Sequence, residues 1–310
     1  MKTCLIFNPQ AGTAARIKDF LLHLTGKQRC ELRPTSLECG AAEIAREAVE
    51  EGFDRLLVAG GDGTVSQAVD GIAPNFDAIE LAVLPFGTGN DLARSLGVGA
   101  DVIDHACNAA FGSRVEPIDV IRVESDGTTS WCINVAHGGL GGRVAADVQT
   151  VDKQRWGALA YWMTSVSRMI DLHEYHVHLD LDEQQIDTRT VGVAIANGRY
   201  VGGGFPISPR AVLNDGLLDI TTVPVLPAVE LMAAGLNFTL GRDHREDRVR
   251  HYRSHRVHLT SVPAMSFSID GEIVRPLDAT FEVVPRALRV VVGENPVGLQ
   301  PVDETEAFAS

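Results

Sequence analysis

Leu56-Leu57-Val58-Ala59-Gly60-Gly61-Asp62-Gly63-Thr64-Val65-Ser66-Gln67-Ala68-Val69 is the stretch on which the fold turns. Four apolar residues without polar alternation read as a strand buried on both faces, and they run into glycines and then a helical pattern. Thr64 and Gln67 have capping-box spacing, which places the helix start just after the glycines. Glycines let backbone N–H groups approach an anion closely, and a helix N-terminus adds unpaired donors and partial positive charge. The segment therefore reads as a phosphate-binding strand-loop-helix unit. No Gly-Lys-Ser/Thr follows, so it is not a Walker A loop, and the third glycine of a dinucleotide fingerprint is missing.

The same logic recurs on either side. Residues 80–84 form the next apolar strand, followed by Pro85-Phe86-Gly87-Thr88-Gly89-Asn90-Asp91-Leu92-Ala93-Arg94, in which Asn90 or Asp91 caps a short helix ending at Gly97. Upstream, residues 3–7 read as a buried strand leading into Asn8-Pro9-Gln10-Ala11-Gly12, a turn by composition. Strands at 30–33 and 55–59 and helical patterns at 14–24 and 41–51 complete an alternation that predicts an α/β domain with a doubly wound parallel sheet. Its ligand belongs at the carboxyl ends of the strands, where the two glycine loops converge.

Beyond about residue 115 the texture changes to period-two alternation. Tyr175, Val177, Leu179 and Leu181 face one way, and His176, His178, Asp180 and Asp182 the other, which predicts an antiparallel β-rich second domain. Helical stripes at 156–172 and 227–240 interrupt it. Asn214-Asp215-Gly216 and Asp270-Gly271 each lie between strand-like runs and read first as hairpin turns.

A length of 310 residues fits two domains. Hydrophobic residues at 45% and charged residues at 22% exclude a disordered chain. The formal charge of −14 offers no general attraction to nucleic acid or an anionic membrane. A local basic run, Arg242 to Arg256, carries six arginines diluted by acids and reads as a solvated surface. The five cysteines are scattered without CxxC spacing, which argues for reduced thiols rather than disulfides or zinc. With no apolar run long enough to span a bilayer, and too short an apolar stretch at the start for a signal peptide, the chain reads as cytoplasmic.

Taken in order, Asn8-Pro9-x-x-Gly12, Gly60-Gly61-Asp62-Gly63-Thr64, Pro85-x-Gly87-Thr88-x-Asn90-Asp91-x-Ala93-Arg94, Asn214-Asp215-Gly216-x-Leu218-Asp219 and Asp270-Gly271-Glu272 resemble the diacylglycerol kinase catalytic-domain family. Asn134-Val135-Ala136-x-Gly138-Gly139, Ala196-Asn197-Gly198-Arg199 and Gly202-Gly203-Gly204 make it most similar to the bacterial YegS-type lipid kinases. The resemblance implies a nucleotide-binding α/β domain over residues 1–120 and an antiparallel β-sandwich-like lipid-substrate domain over 121–290, with a segment at about 290–310 packing back on the first. It implies ATP and Mg²⁺ as cofactors and a lipid at the membrane surface as partner, the enzyme being cytoplasmic or peripheral at the inner membrane surface.

By the same resemblance, Gly60, Gly61, Asp62, Gly63, Thr64, Val65 and Ser66 hold nucleotide phosphates, with Asn8, Thr35, Thr88, Asn90 and Asp91 contributing. Asp270 accepts the proton of the lipid hydroxyl with Glu272 beside it, while Asp62 organises the metal or is itself the base. A magnesium site uses Asp215 with the backbone carbonyls of Val212 and Leu217, an oxygen-only set that suits a hard cation. Family members often carry Asn-Glu where this chain has Ser66-Gln67, which removes one carboxylate from the helix. An NAD kinase-like enzyme with a soluble acceptor, or a binding protein without turnover, remain the alternatives.

Overall fold

A computed structural model describes residues 1–9, 30–99, 111–139, 173–226, 230, 249–274 and 278–300. The expected helices at 14–24 and 156–172, that at 227–240 apart from residue 230, and the tail beyond 300 lie outside the described residues, as do residues 242–248 of the basic run.

Strands β1 (Thr3–Phe7), β2 (Cys30–Pro34), β3 (Arg55–Gly60) and β4 (Glu80–Pro85) form a parallel sheet in the order β4-β3-β1-β2. Every residue of β1 and β3 is buried, which is why they read as unbroken apolar runs. Helices α1 (Ala41–Glu50) and α2 (Asp62–Ile72) pack against each other and the sheet. At their crossing Gly71 is obligatory, because a Cβ there would lie 2.1 Å from the Ala42 carbonyl oxygen. The short α3 (Asp91–Ser95) ends before Gly97, whose φ of +70° makes the left-handed stop that glycine favours.

The remaining strands are β5 (Val115–Ser125), β6 (Thr128–Cys132), β7 (Val135–Gly139), β8 (Tyr175–Leu181), β9 (Gln185–Ala196), β10 (Leu218–Pro224), β11 (Arg250–Ser254), β12 (Arg256–Val262), β13 (Phe267–Ile269), β14 (Glu272–Val274) and β15 (Asp278–Val291). They pair antiparallel with one another, and β8 buries Tyr175, Val177, Leu179 and Leu181 as its alternation requires. A second core of Ile121, Val193, Ile195, Ile220, Phe267 and Phe281, among others, lies under this half.

The two halves share one hydrogen-bonded sheet. Strand β15 pairs antiparallel with β12 and β5 and, at Val290 opposite Leu81, parallel with β4. Its Arg289 reaches Glu80 at 2.6 Å, and Glu80 also takes the buried Arg55 at 2.6 Å.

Two local readings change. Helix α2 starts at Asp62 with Gly61 as its N-cap, so Thr64 sits inside the first turn and no capping box forms with Gln67. Gly61 needs no side chain to fill the cap position because its φ/ψ is already extended. Asp270-Gly271 is the two-residue hairpin turn between β13 and β14, both residues at positive φ. Asp215-Gly216 is not a hairpin, because the chain before it, at Leu213, bonds to Gly298 and Asp119 and not to β10.

Candidate active site

The carboxyl ends of the four parallel strands lie side by side. Phe7 is in register with Pro34 and with Ala59, and Gly60 with Pro85. Asn8, Thr35, the Gly60–Gly63 loop and the segment after Pro85 therefore share one edge. Thr35 donates its N–H to the Phe7 carbonyl at 2.9 Å, and Asn8 Nδ2 donates to Thr64 Oγ1 at 3.3 Å. Thr64, Val65 and Ser66 are buried on α2, Gly63 and Thr88 are exposed, and Gln67 faces solvent.

The two glycine loops touch backbone to backbone. A Cβ on Gly87 would stand 2.4 Å from Gly61 Cα, and one on Gly89 2.7 Å from Asp62 Oδ2. Asn90 adopts a left-handed conformation (φ 52°) and does not cap α3; its Oδ1 instead accepts the Gly87 N–H at 2.9 Å. The cap comes from the neighbouring loop, where Asp62 Oδ1 accepts the N–H groups of Asp91 (2.8 Å) and Leu92 (3.4 Å). Asp91 in turn accepts from Gly203 (3.0 Å) and Gly204 (2.6 Å), tying the α/β half to the glycine turn of the second half. Burial raises the proton affinity of Asp62, and burial plus the Asp62 charge pushes Asp91 up to about 6.

Asp270 occupies the tip of the β13–β14 hairpin. Its Oδ2 accepts the Ile133 N–H at 2.6 Å, its Oδ1 accepts Val135 N–H at 3.0 Å and Asn134 N–H at 3.2 Å, and the Cys132 thiol also donates to it. The residue is partly exposed at the turn but its carboxylate is enclosed, and desolvation outweighs these donors to push it up to about 6. Glu272 is exposed beside it. Asp70, on α2, carries no motif signal; burial, then the charges of Glu272 and Asp270, push it up to about 6, although it accepts the Trp131 N–H. Trp131 stacks edge-on against Phe76 at 4.9 Å. Helix α2 thus reaches from the glycine loop to the segment that holds Asp270.

The Asp215 turn lies among further carboxylates that sequence reasoning missed. Asp119, fully buried, accepts the N–H groups of Gly216 and Arg286, each at 2.7 Å. Asp215 accepts Leu217 N–H at 3.1 Å and pairs with Arg253, which also lies 3.7 Å from Asp219. Asp219 Oδ2 is buried without a hydrogen-bond partner, and burial with the Asp215 charge pushes Asp219 up to about 6 although Arg253 opposes them. Among the described residues, no three His, Cys, Asp or Glu side chains converge as a metal cage. A cation at this turn would draw on the Asp215 carboxylate, here held by Arg253, and on backbone carbonyls, an oxygen set that fits a hard cation.

The remaining polar features are structural. His178 pairs with Asp187 and His255 with Asp182, both at 2.9 Å. In the basic run His251 bonds Thr221 at 3.1 Å and Arg253 holds Asp215, so those residues face inward contacts. Among the described residues Cys4, Cys30, Cys39 and Cys132 are free thiols.

The diacylglycerol kinase catalytic domain family matches residues 2–123, and the YegS C-terminal NAD kinase beta sandwich-like domain matches residues 134–292, more than half of the chain. The chain belongs to the YegS-like family of lipid kinases. It is 29% identical to a "probable lipid kinase YegS-like" of Stenotrophomonas maltophilia, over 92% of this chain and 94% of that one. A protein of the same description from Xanthomonas campestris is 30% identical over 84% and 85% of the two chains. A crystal structure of a diacylglycerol kinase from Bacillus anthracis shares the fold, with a TM-score of 0.73 over 96% of this chain and 98% of that one at 23% identity. This YegS-like kinase thus joins an α/β half to a β-sandwich-like half, and no helix among its described residues is long and apolar enough to cross a membrane.

Proposed function

We propose that this kinase transfers the γ-phosphate of ATP to the hydroxyl of a lipid such as diacylglycerol or phosphatidylglycerol, at a membrane surface and with Mg²⁺, using Asp270 as proton acceptor. The observation that carries the reading is the Asp270 carboxylate, oriented by the N–H groups of Ile133, Asn134 and Val135 and raised to a proton affinity near 6. A base with that affinity is mostly ionised at neutral pH and yet binds a proton well, the condition under which general base catalysis contributes about 10²–10⁴-fold. Of its four donors the Cys132 thiol is the weakest, and it is the one a substrate hydroxyl would displace.

Asp270 accepts the hydroxyl proton as the lipid oxygen bonds to the γ-phosphorus and the bond to the departing ADP oxygen breaks. The Gly60–Gly63 loop and the start of α2 offer backbone donors to the phosphates, and the Pro85–Asn90 loop packed against it fixes their position. Asp62, engaged in capping α3, supports that second loop; the proton acceptor is Asp270. Mg²⁺, when bound, neutralises phosphate charge or braces the Asp215 turn. Asp215, with the carbonyls of Val212 and Leu217, is the donor set we assign to it. The departure at Ser66-Gln67 leaves a buried hydroxyl and an exposed amide, neither of which removes a donor from the loop.

The test is transfer of labelled γ-phosphate to micellar lipids and, separately, to NAD. Label in a lipid class, lost in Asp270→Asn while ATP still binds, is the expected result. Label in NAD alone, or an Asp270→Asn protein with full transfer, would overturn the reading.

A further inference from the structure

Among the described residues, five buried side-chain atoms have no hydrogen-bond partner: Asn134 Oδ1, His137 Nδ1, Asn197 Oδ1, Asp219 Oδ2 and Ser268 Oγ. All five lie on β7, β10 and β13 or immediately beside β7 and β9. Two of them face each other, for Ser268 on β13 is in register with His137 on β7. Buried polar atoms normally find partners because an unmade bond is costly. Here the Nδ1 of an imidazole and a hydroxyl oxygen belong to residues opposite each other, 9% and 1% exposed, and neither atom has a hydrogen-bond partner.

The register extends the pair into a row. His137 is opposite Ala194, Ala194 opposite Thr221, and Thr221 opposite His251, where the last two are already hydrogen-bonded. Period two sends Phe267, Ile269, Ala136, Val193, Ile195 and Ile220 into the core, so Ser268, His137, Ala194 and Thr221 share the other face. The adjacent row on this face begins at Asp270, whose N–H bonds to the Val135 carbonyl, and continues through Val135, Ala196 and Asp219. Ser268 is two residues from Asp270 along β13, a step of about 7 Å. Between the polar ends lie the small side chains of Val135, Ala194 and Ala196, with Val201 beside them.

We propose that His137 and Ser268 form a subsite for the acceptor lipid, hydrogen-bonding an uncharged hydroxyl or ester oxygen about 7 Å from the hydroxyl presented to Asp270. The inference rests on the reading of Asp270 as the proton acceptor. The ligand oxygen is uncharged because the site is. Burial pushes His137 down to about 4, so its ring is neutral at pH 7 and offers one donor and one acceptor. The adjacent row carries Asp270 at one end and, at the other, Asp219 with Arg253 3.7 Å away, so an anionic group placed beside Asp270 is repelled.

The experiment uses the full chain and 1,2-dihexanoylglycerol. Ser268→Ala removes an orphaned hydroxyl, so its thermal midpoint stays level or rises while the KM for the lipid rises about tenfold and kcat changes little. His137→Phe raises KM by a similar factor, and His137→Gln, which keeps a donor and an acceptor, recovers most of the loss. In the turnover-deficient Asp270→Asn protein, titration with dihexanoylglycerol shifts the ¹⁵N resonances of the His137 imidazole. Unchanged KM in Ser268→Ala and His137→Phe, with unshifted resonances, would overturn the subsite while leaving the Asp270 reading intact. Transfer surviving in Asp270→Asn would overturn the Asp270 reading, and the imidazole titration would still decide the subsite.

Discussion

Asp270→Asn changes the pH dependence of stability as well as turnover, and the size of that change follows from the geometry. Enclosure raises the carboxyl from its ordinary 3.8 to about 6. A gap of about 2 pH units corresponds to about 3 kcal/mol between its protonation states. Because the folded protein binds this proton more tightly than the unfolded chain, the contribution is fully present below pH 3.8 and is lost as pH rises through 6. Between about pH 4.5 and pH 8, linkage gives a loss of about 2 kcal/mol in the wild type that the amide variant escapes. The amide also turns an NH₂ toward one of the donors at Ile133–Val135, a constant cost of about 1–3 kcal/mol, so the slope with pH is the informative quantity. Urea unfolding of both proteins at the two pH values measures it, since Asp91 and Asp219 titrate in both and cancel, while Asp70, raised in part by the Asp270 charge, shifts down in the variant and adds to the difference. Phosphoryl transfer falls about 10²–10⁴-fold at neutral pH, and wild-type transfer declines below about pH 6 as Asp270 is protonated. Parallel stability curves would refute the argument that the carboxylate is enclosed and ionised at a cost.

Gly87→Ala places a Cβ 2.4 Å from Gly61 Cα, where carbon atoms need about 3.5–4.0 Å, so the glycine loops separate by about 1 Å and transfer falls about 10²-fold. Gly40→Ala, with nothing within 4 Å of the added carbon, serves as the control and retains activity in the same assay. Asp91→Ala strands the partly buried N–H groups of Gly203 and Gly204 and lowers stability by about 1 kcal/mol, with faster amide exchange at those two residues. Arg55→Met breaks a buried ion pair but leaves Glu80 its contact with Arg289, so urea unfolding registers about 2 kcal/mol rather than the 3–5 of an abandoned charge.

The parallel sheet was legible because β1, β3 and β4 are buried on both faces and advertise it as unbroken apolar runs. The meeting of the glycine loops was legible as well, since adjacent parallel strands end at one edge. In β8, alternation named the buried face residue by residue. What escaped was long-range. Nothing near Asp270 in sequence indicates that residues 132–135 supply its donors, or that Asp70 approaches it from another half of the chain. The capping-box spacing at Thr64 misled because the N-cap is Gly61, three residues earlier, and Asp62, which resembles a metal or base residue, turns its carboxylate toward a neighbouring helix. His137 and Ser268 carry no local signature at all; the strand register brings them together.

Strand β15 also imposes an order on biosynthesis. Until its residues near Val290 emerge, β4 has no partner on the side away from β3, and a hydrophobic sheet edge stays open through most of translation. Such an edge is a template for pairing with another chain. The two halves are thus unequal to the ribosome: the first is synthesised early but is closed by one of the last strands made, and a fragment cut before residue 278 would be left with an aggregation-prone seam rather than a domain.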